Sequence, residues 1–119
     1  MIEYELSMLV RCSRGSVNHV LQNLQGGITA TANRKEPHTI FLETRSPYVG
    51  SQIDFAVNHF LDLIAPIQLI EGVATADLKV CAFFDPEKIA ALNFELGPST
   101  VVRLAGLGRG FDLWAMPGG

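Results

Sequence analysis

Ile2, Tyr4, Leu6, Met8, Val10 and Cys12 alternate with Glu3, Glu5, Ser7, Leu9 and Arg11. A period of two sustained from residue 2 to residue 12 predicts a half-buried strand with its even positions inward. Ser13 and Ser16 follow, and their hydroxyls suit the orphan N–H groups at a helix start. Val17, Val20, Leu21 and Leu24 then repeat at helical spacing, and Gly26-Gly27 stops that helix.

Ile28, Ala30 and Ala32 alternate with Thr29 and Thr31 as a weaker strand, and a polar turn over 33–38 leads to Ile40 and Leu42, alternating with Phe41 and Glu43. This pair predicts a hairpin, broken off by Ser46-Pro47-Tyr48-Val49-Gly50. Ser51 followed by Asp54 resembles a capping box. The helix it opens carries Ile53, Ala56, Val57, Phe60 and Ile64 on one stripe. Pro66 is expected to interrupt it, having no N–H for the ladder.

Ala76, Leu78, Val80, Ala82 and Phe84 alternate with Asp77, Lys79, Cys81 and Phe83, which predicts a long strand. Residues 87–96 show no period. Pro98 suits a first helical position, and Val101, Val102 and Ala105 carry that helix to a stop at Gly108. Phe111, Leu113 and Ala115 alternate with Asp112, Trp114 and Met116 as a last strand. The order β-α-β-β-α-β matches the ferredoxin-like split β-α-β topology, with a helix and strand added at the C-terminal end. The expectation is one α+β domain over 1–119.

Composition narrows the function classes. The 119 residues are 48% apolar and 18% charged, a globular balance. Nine basic and twelve acidic side chains give a net charge of −3, which argues against a nucleic-acid partner. No apolar run has the ~18 residues of a membrane span, and the first residues lack the basic and apolar regions of a signal peptide. The expected location is the cytoplasm. Cys12 and Cys81 form no CxxC and sit in apolar stretches, so both read as small buried thiols. His19, His38 and His59 form no metal-ligand spacing; neither metal nor cofactor is expected.

The alternation gathers one set of side chains on the sheet face away from the two main helices: Glu3, Glu5, Ser7, Leu9, Arg11, Phe41, Glu43, Asp77, Lys79, Cys81, Phe83, Asp112 and Trp114. Bulky apolar groups among carboxylates suit a protein-recognition or homodimer surface, with Trp a favoured anchor. Glu3, Glu5, Phe41, Glu43, Phe83, Asp112 and Trp114 are the candidate partner-binding residues, and their acidity suits a basic partner. The competing expectation is that the helix over 98–107 folds across this face and buries it. An RNA-recognition module shares the topology, but the carboxylates would repel phosphates.

Catalytic signals are weak. Gly106, Gly108 and Gly110 follow a helix, whereas a phosphate cradle precedes one. Arg34-Lys35-Glu36-Pro37-His38 could grip an anion but reads equally as a solvated hairpin tip. His59 and Asp62, at i and i+3, could share a hydrogen bond of the kind that surface pairs make without consequence. No nucleophile elbow is present, and the chain is not expected to be an enzyme.

The segment from Leu96 to Trp114, with its short helix, Leu104-Ala105-Gly106-Leu107-Gly108 turn and strand carrying Asp112, resembles the closing motif of a bacterial family known only as a domain of unknown function. Members of that family tend to carry a proline after the first helix and a tryptophan after the hairpin, where this chain has Gly26-Gly27-Ile28-Thr29 and Thr39-Ile40-Phe41-Leu42. The resemblance implies no catalytic residues. Some small bacterial proteins of this kind lie beside toxin genes, so the resemblance implies an immunity role by association. The reading that results is a non-enzymatic protein-binding module, in its sharpest form an immunity protein that neutralises a bacterial toxin. The alternative is a small-molecule sensor with its pocket at the same face.

Overall fold

The computed structural model describes residues 2–24, 26–32, 36, 38–88, 92–106 and 110–118. The expected hairpin tip at Arg34, Lys35 and Pro37 and the helix stop at Gly108 lie outside the described residues. The elements run β1 (Glu3–Cys12), a 3-10 turn (Arg14–Ser16), α1 (Val17–Gln22), β2 (Ile28–Ala32), β3 (Thr39–Thr44), β4 (Tyr48–Val49), α2 (Ile53–Gln68), β5 (Val73–Phe84), α3 (Pro98–Gly106) and β6 (Phe111–Pro117).

The architecture is mixed α+β. Five strands lie in the order β2-β3-β1-β5-β6, and β4 pairs with the start of β1. Neighbours are antiparallel except β5 and β6, which run parallel. β4 falls where Ser46-Pro47-Tyr48-Val49-Gly50 predicts a break. Two residues carry no periodicity, yet Tyr4 and Glu3 pair with Tyr48 and Val49, continuing beside β1 the line that β3 leaves after Glu43.

The inward face of β1 is Tyr4, Leu6, Met8, Val10 and Cys12, all buried, as the alternation predicts. The α2 stripe of Ile53, Ala56, Val57, Phe60 and Ile64 is buried against it, together with Leu61 and Ile67. Pro66 does not end α2. It sits in the last turn, where it removes one ladder bond, a change that costs about 3 kcal/mol or more in a helix interior. Ile64 and Ile67 on either side are fully buried, each worth about 1.5–3 kcal/mol, which together offset it.

Two local expectations are corrected, and the orientation of α3 is a new finding. Gln52, not Ser51, precedes α2, and no side chain caps it; Asp54 is engaged elsewhere. Ser13 and Ser16 cap neither helical segment. Their hydroxyls share a 2.7 Å hydrogen bond, and the Ser16 Oγ donates to the Glu71 carbonyl at 2.9 Å. They tie the β1–α1 turn to the α2–β5 turn, where Gly72 has φ +82°. Finally, Val101, Val102 and Ala105 of α3 face solvent, Val102 at 70% exposure, and α3 buries Thr100 and Leu104 instead. Polar partners on α2 decide that orientation.

Those partners form a chain of contacts. The Thr100 Oγ1 and the Gly97 N–H donate to Asp54 Oδ1 at 2.6 and 2.7 Å. Asn58 Nδ2 donates to Thr100 Oγ1. Arg103 donates to Asn58 and, at 2.6 Å, to Asp62. α3 therefore lies beside α2, on the helical side of the sheet. The competing expectation, that this helix folds across the other face, fails, because the groups that hold it are on α2.

Candidate functional site

Register across the sheet assembles the outward side chains into rows. Val49, Glu3, Phe83 and Met116 form one; Glu5, Cys81 and Trp114 form the next. Thr29, Glu43, Ser7, Lys79 and Asp112 cross the middle, and Thr31, Phe41 and Leu9 lie beyond. The pairing brings Glu3, Glu5, Phe41, Glu43, Phe83, Asp112 and Trp114 onto one face. Strand pairing puts opposed residues on the same side, so the sequence period and the register agree.

The face is uncovered among the described residues. Trp114 is 56% exposed, Met116 42% and Phe41 39%. Leu9, Cys81 and Phe83 are partly buried. Cys81 is thus not the core thiol expected from its apolar flanks: at an odd position of β5 it points away from the helices. Cys12 is a core residue, and burial pushes its thiol pKa up. Neither cysteine is in a disulfide.

Charge on the face is interleaved, not confined to a rim. The Lys79 ammonium lies 5.2 Å from the centre of the Trp114 ring, a cation–π distance, and Lys79 stands opposite Asp112. No ion pair among the described residues neutralises Glu3, Glu5 or Glu43. Asp77 takes a different role: its carboxylate accepts the Gly110 N–H at 2.7 Å and fixes the entry to β6.

A concavity of about 390 Å³ opens where β3 gives way to β4, bounded by Glu5, Ser7, Phe41, Glu43, Arg45 and Lys79 among others. Sequence reasoning missed Val49, Met116 and Arg45 as parts of this surface. Met116 shares the parity of Trp114 and could have been included; Val49 and Arg45 carry no periodic signal.

Elsewhere, His59 and Asp62 do not pair. His59 Nδ1 and the Tyr48 hydroxyl are 2.6 Å apart, and the ring stacks on Phe55. Asp62 is taken by Arg103. No group of three or more His, Cys, Asp or Glu side chains converges among the described residues, and no described helix is long and apolar enough to cross a membrane. Comparison of the chain with protein-family models, with curated proteins and with solved structures finds no significant match to any of them.

Proposed function

We propose that the chain is a non-enzymatic protein-binding module that offers its uncovered sheet face to a basic protein partner. The observation that carries this is Trp114, more than half exposed next to Met116 on β6, with Phe41 exposed three strands away on the same face, over which no described element packs. Exposed aromatic groups of this kind are the usual anchors of protein interfaces. The carboxylates of Glu3, Glu5 and Glu43, which form no ion pair among the described residues, favour a partner of opposite charge. An immunity protein acting in the bacterial cytoplasm against a toxin is the form of this function suggested by the resemblance of residues 96–114. The order β2-β3-β1-β5 with antiparallel neighbours supports reading the sheet as a ferredoxin-like split β-α-β core extended by α3 and β6.

Affinity capture from the native host, with the unaltered chain beside Trp114→Ala and Phe41→Ala, tests the proposal. Both variants keep their fold, and a basic protein captured by the unaltered chain is lost with each. Capture indifferent to both substitutions, or no protein captured at all, overturns it.

The concavity beside Lys79 and Arg45 favours the second reading, a small-molecule sensor. A reproducible Tm rise with one metabolite, abolished in Lys79→Ala, would select it over the first.

A further inference from the structure

β6 forms one edge of the sheet. At its two ends the Gly110 carbonyl accepts from the Leu78 N–H at 3.2 Å, and the Gly118 N–H donates to the Phe84 carbonyl at 2.9 Å. Backbone groups alternate sides along a strand, so the even residues between them also face β5. The odd residues Phe111, Leu113, Ala115 and Pro117 aim their backbone groups outward, where β6 has no neighbouring strand among the described residues. Pro117 fits this parity, since its missing N–H costs the β5 ladder nothing.

Natural edge strands are guarded by charge, bulges or short length. β6 keeps an unbroken register with β5 from Phe111 to Pro117. Asp112 is its only charged residue, and everything from Trp114 to Pro117 is exposed. The segment Leu113-Trp114-Ala115-Met116 is thus an apolar strand with an open hydrogen-bonding edge.

We propose that β6 pairs antiparallel, edge to edge, with β6 of a second copy of the chain, about a two-fold axis passing at Trp114. In that register Leu113 exchanges both backbone bonds with the partner's Ala115, and the Phe111 N–H reaches the carbonyl of the partner's Pro117. The proline's missing donor therefore falls at the rim. The two Trp114 rings form the non-hydrogen-bonded pair, where side chains approach most closely, and cross-strand aromatic pairs are favourable. Asp112 meets the partner's Met116. An axis at Asp112 would instead oppose two carboxylates, which is destabilising. The pairing shares Trp114 and Asp112 with the sheet-face reading but is made by the edge backbone, and leaves Phe41, Glu3, Glu5 and Glu43 free.

Sedimentation equilibrium and amide hydrogen exchange test it together. The expected mass is twice 13.0 kDa, with the Leu113 and Ala115 amides protected at concentrations where the dimer forms and exchanging freely on dilution. Ala115→Pro removes an outward N–H without touching the β5 ladder, and raises the dimer Kd at least about tenfold. Phe41→Ala leaves it unchanged. A monomer at every concentration overturns the pairing, including one whose amides are protected only when a different protein is added. So does a dimer in which those two amides exchange freely, or one lost in Phe41→Ala and kept in Ala115→Pro. Should Ala115→Pro not fold, the exchange pattern of the unaltered chain decides.

Discussion

The Asp54 carboxylate, in the first turn of α2, accepts the Thr100 hydroxyl at 2.6 Å and so terminates the N-terminal end of a different helix. The same oxygen takes the Gly97 N–H. A residue with the spacing of a local cap serves instead as a tertiary one.

That arrangement makes stability depend on pH. The Thr100 hydroxyl, and after it the Gly97 N–H, hold the Asp54 carboxyl below its ordinary value of 3.8. A lowered pKa in the folded state stabilises fully above the ordinary value, and the contribution is lost as pH falls through the lowered one. Asp54→Asn is therefore expected to lower Tm at pH 7, with the gap to the unaltered protein narrowing as pH falls below 3.8. A gap independent of pH would contradict this; thermal melts by circular dichroism across that range measure it.

Phe60 and Trp114 are expected to separate stability from binding. Phe60 is wholly buried beneath the sheet, and Phe60→Ala costs about 3–5 kcal/mol. Trp114→Ala removes a ring that is mostly in water and costs less than about 1 kcal/mol. Urea denaturation of the two variants gives both numbers.

Gly72 is expected to resist substitution. Its φ of +82° disfavours any L side chain by about 1–2 kcal/mol, and a Cβ there would lie 2.6 Å from Ser13 Oγ. Gly72→Ala destabilises accordingly. Adding Ser13→Ala restores only the part due to the clash, which a double-mutant cycle in denaturant resolves.

The two thiols are expected to differ in reactivity. Cys12 is in the core with its pKa raised by burial, whereas Cys81 stands on the open face beside Trp114. Alkylation followed by mass spectrometry should label Cys81 first, and Cys12 only on unfolding. A partner bound on the sheet face should slow the Cys81 reaction.

The long periodic segments were legible in the sequence because burial imposes their period. Glu3–Cys12 is inward at even positions, and Ile53–Ile64 is buried at helical spacing. The helix continued past Pro66 because Ile67, one residue later, still reaches the core. The helix over 98–106 is legible, but its inward face is not: Val101, Val102 and Ala105 are exposed, whereas Thr100, bonded to Asp54 and Asn58, and Leu104 are buried. β4 was illegible, since a two-residue strand exists only through its pairing with Glu3 and Tyr4.

For the candidate surface, alternation alone put Glu3, Glu5, Phe41, Glu43, Phe83, Asp112 and Trp114 on the side away from the helices, because successive side chains of a strand must point oppositely. Whether that side stays open depends on where α3 docks. Docking is a contest between distant groups, Asp54 with Thr100 and Arg103 with Asp62, whose meeting no local pattern encodes. The chain's own sequence thus determined which residues share the surface; the tertiary hydrogen bonds of α3 decided that it faces solvent.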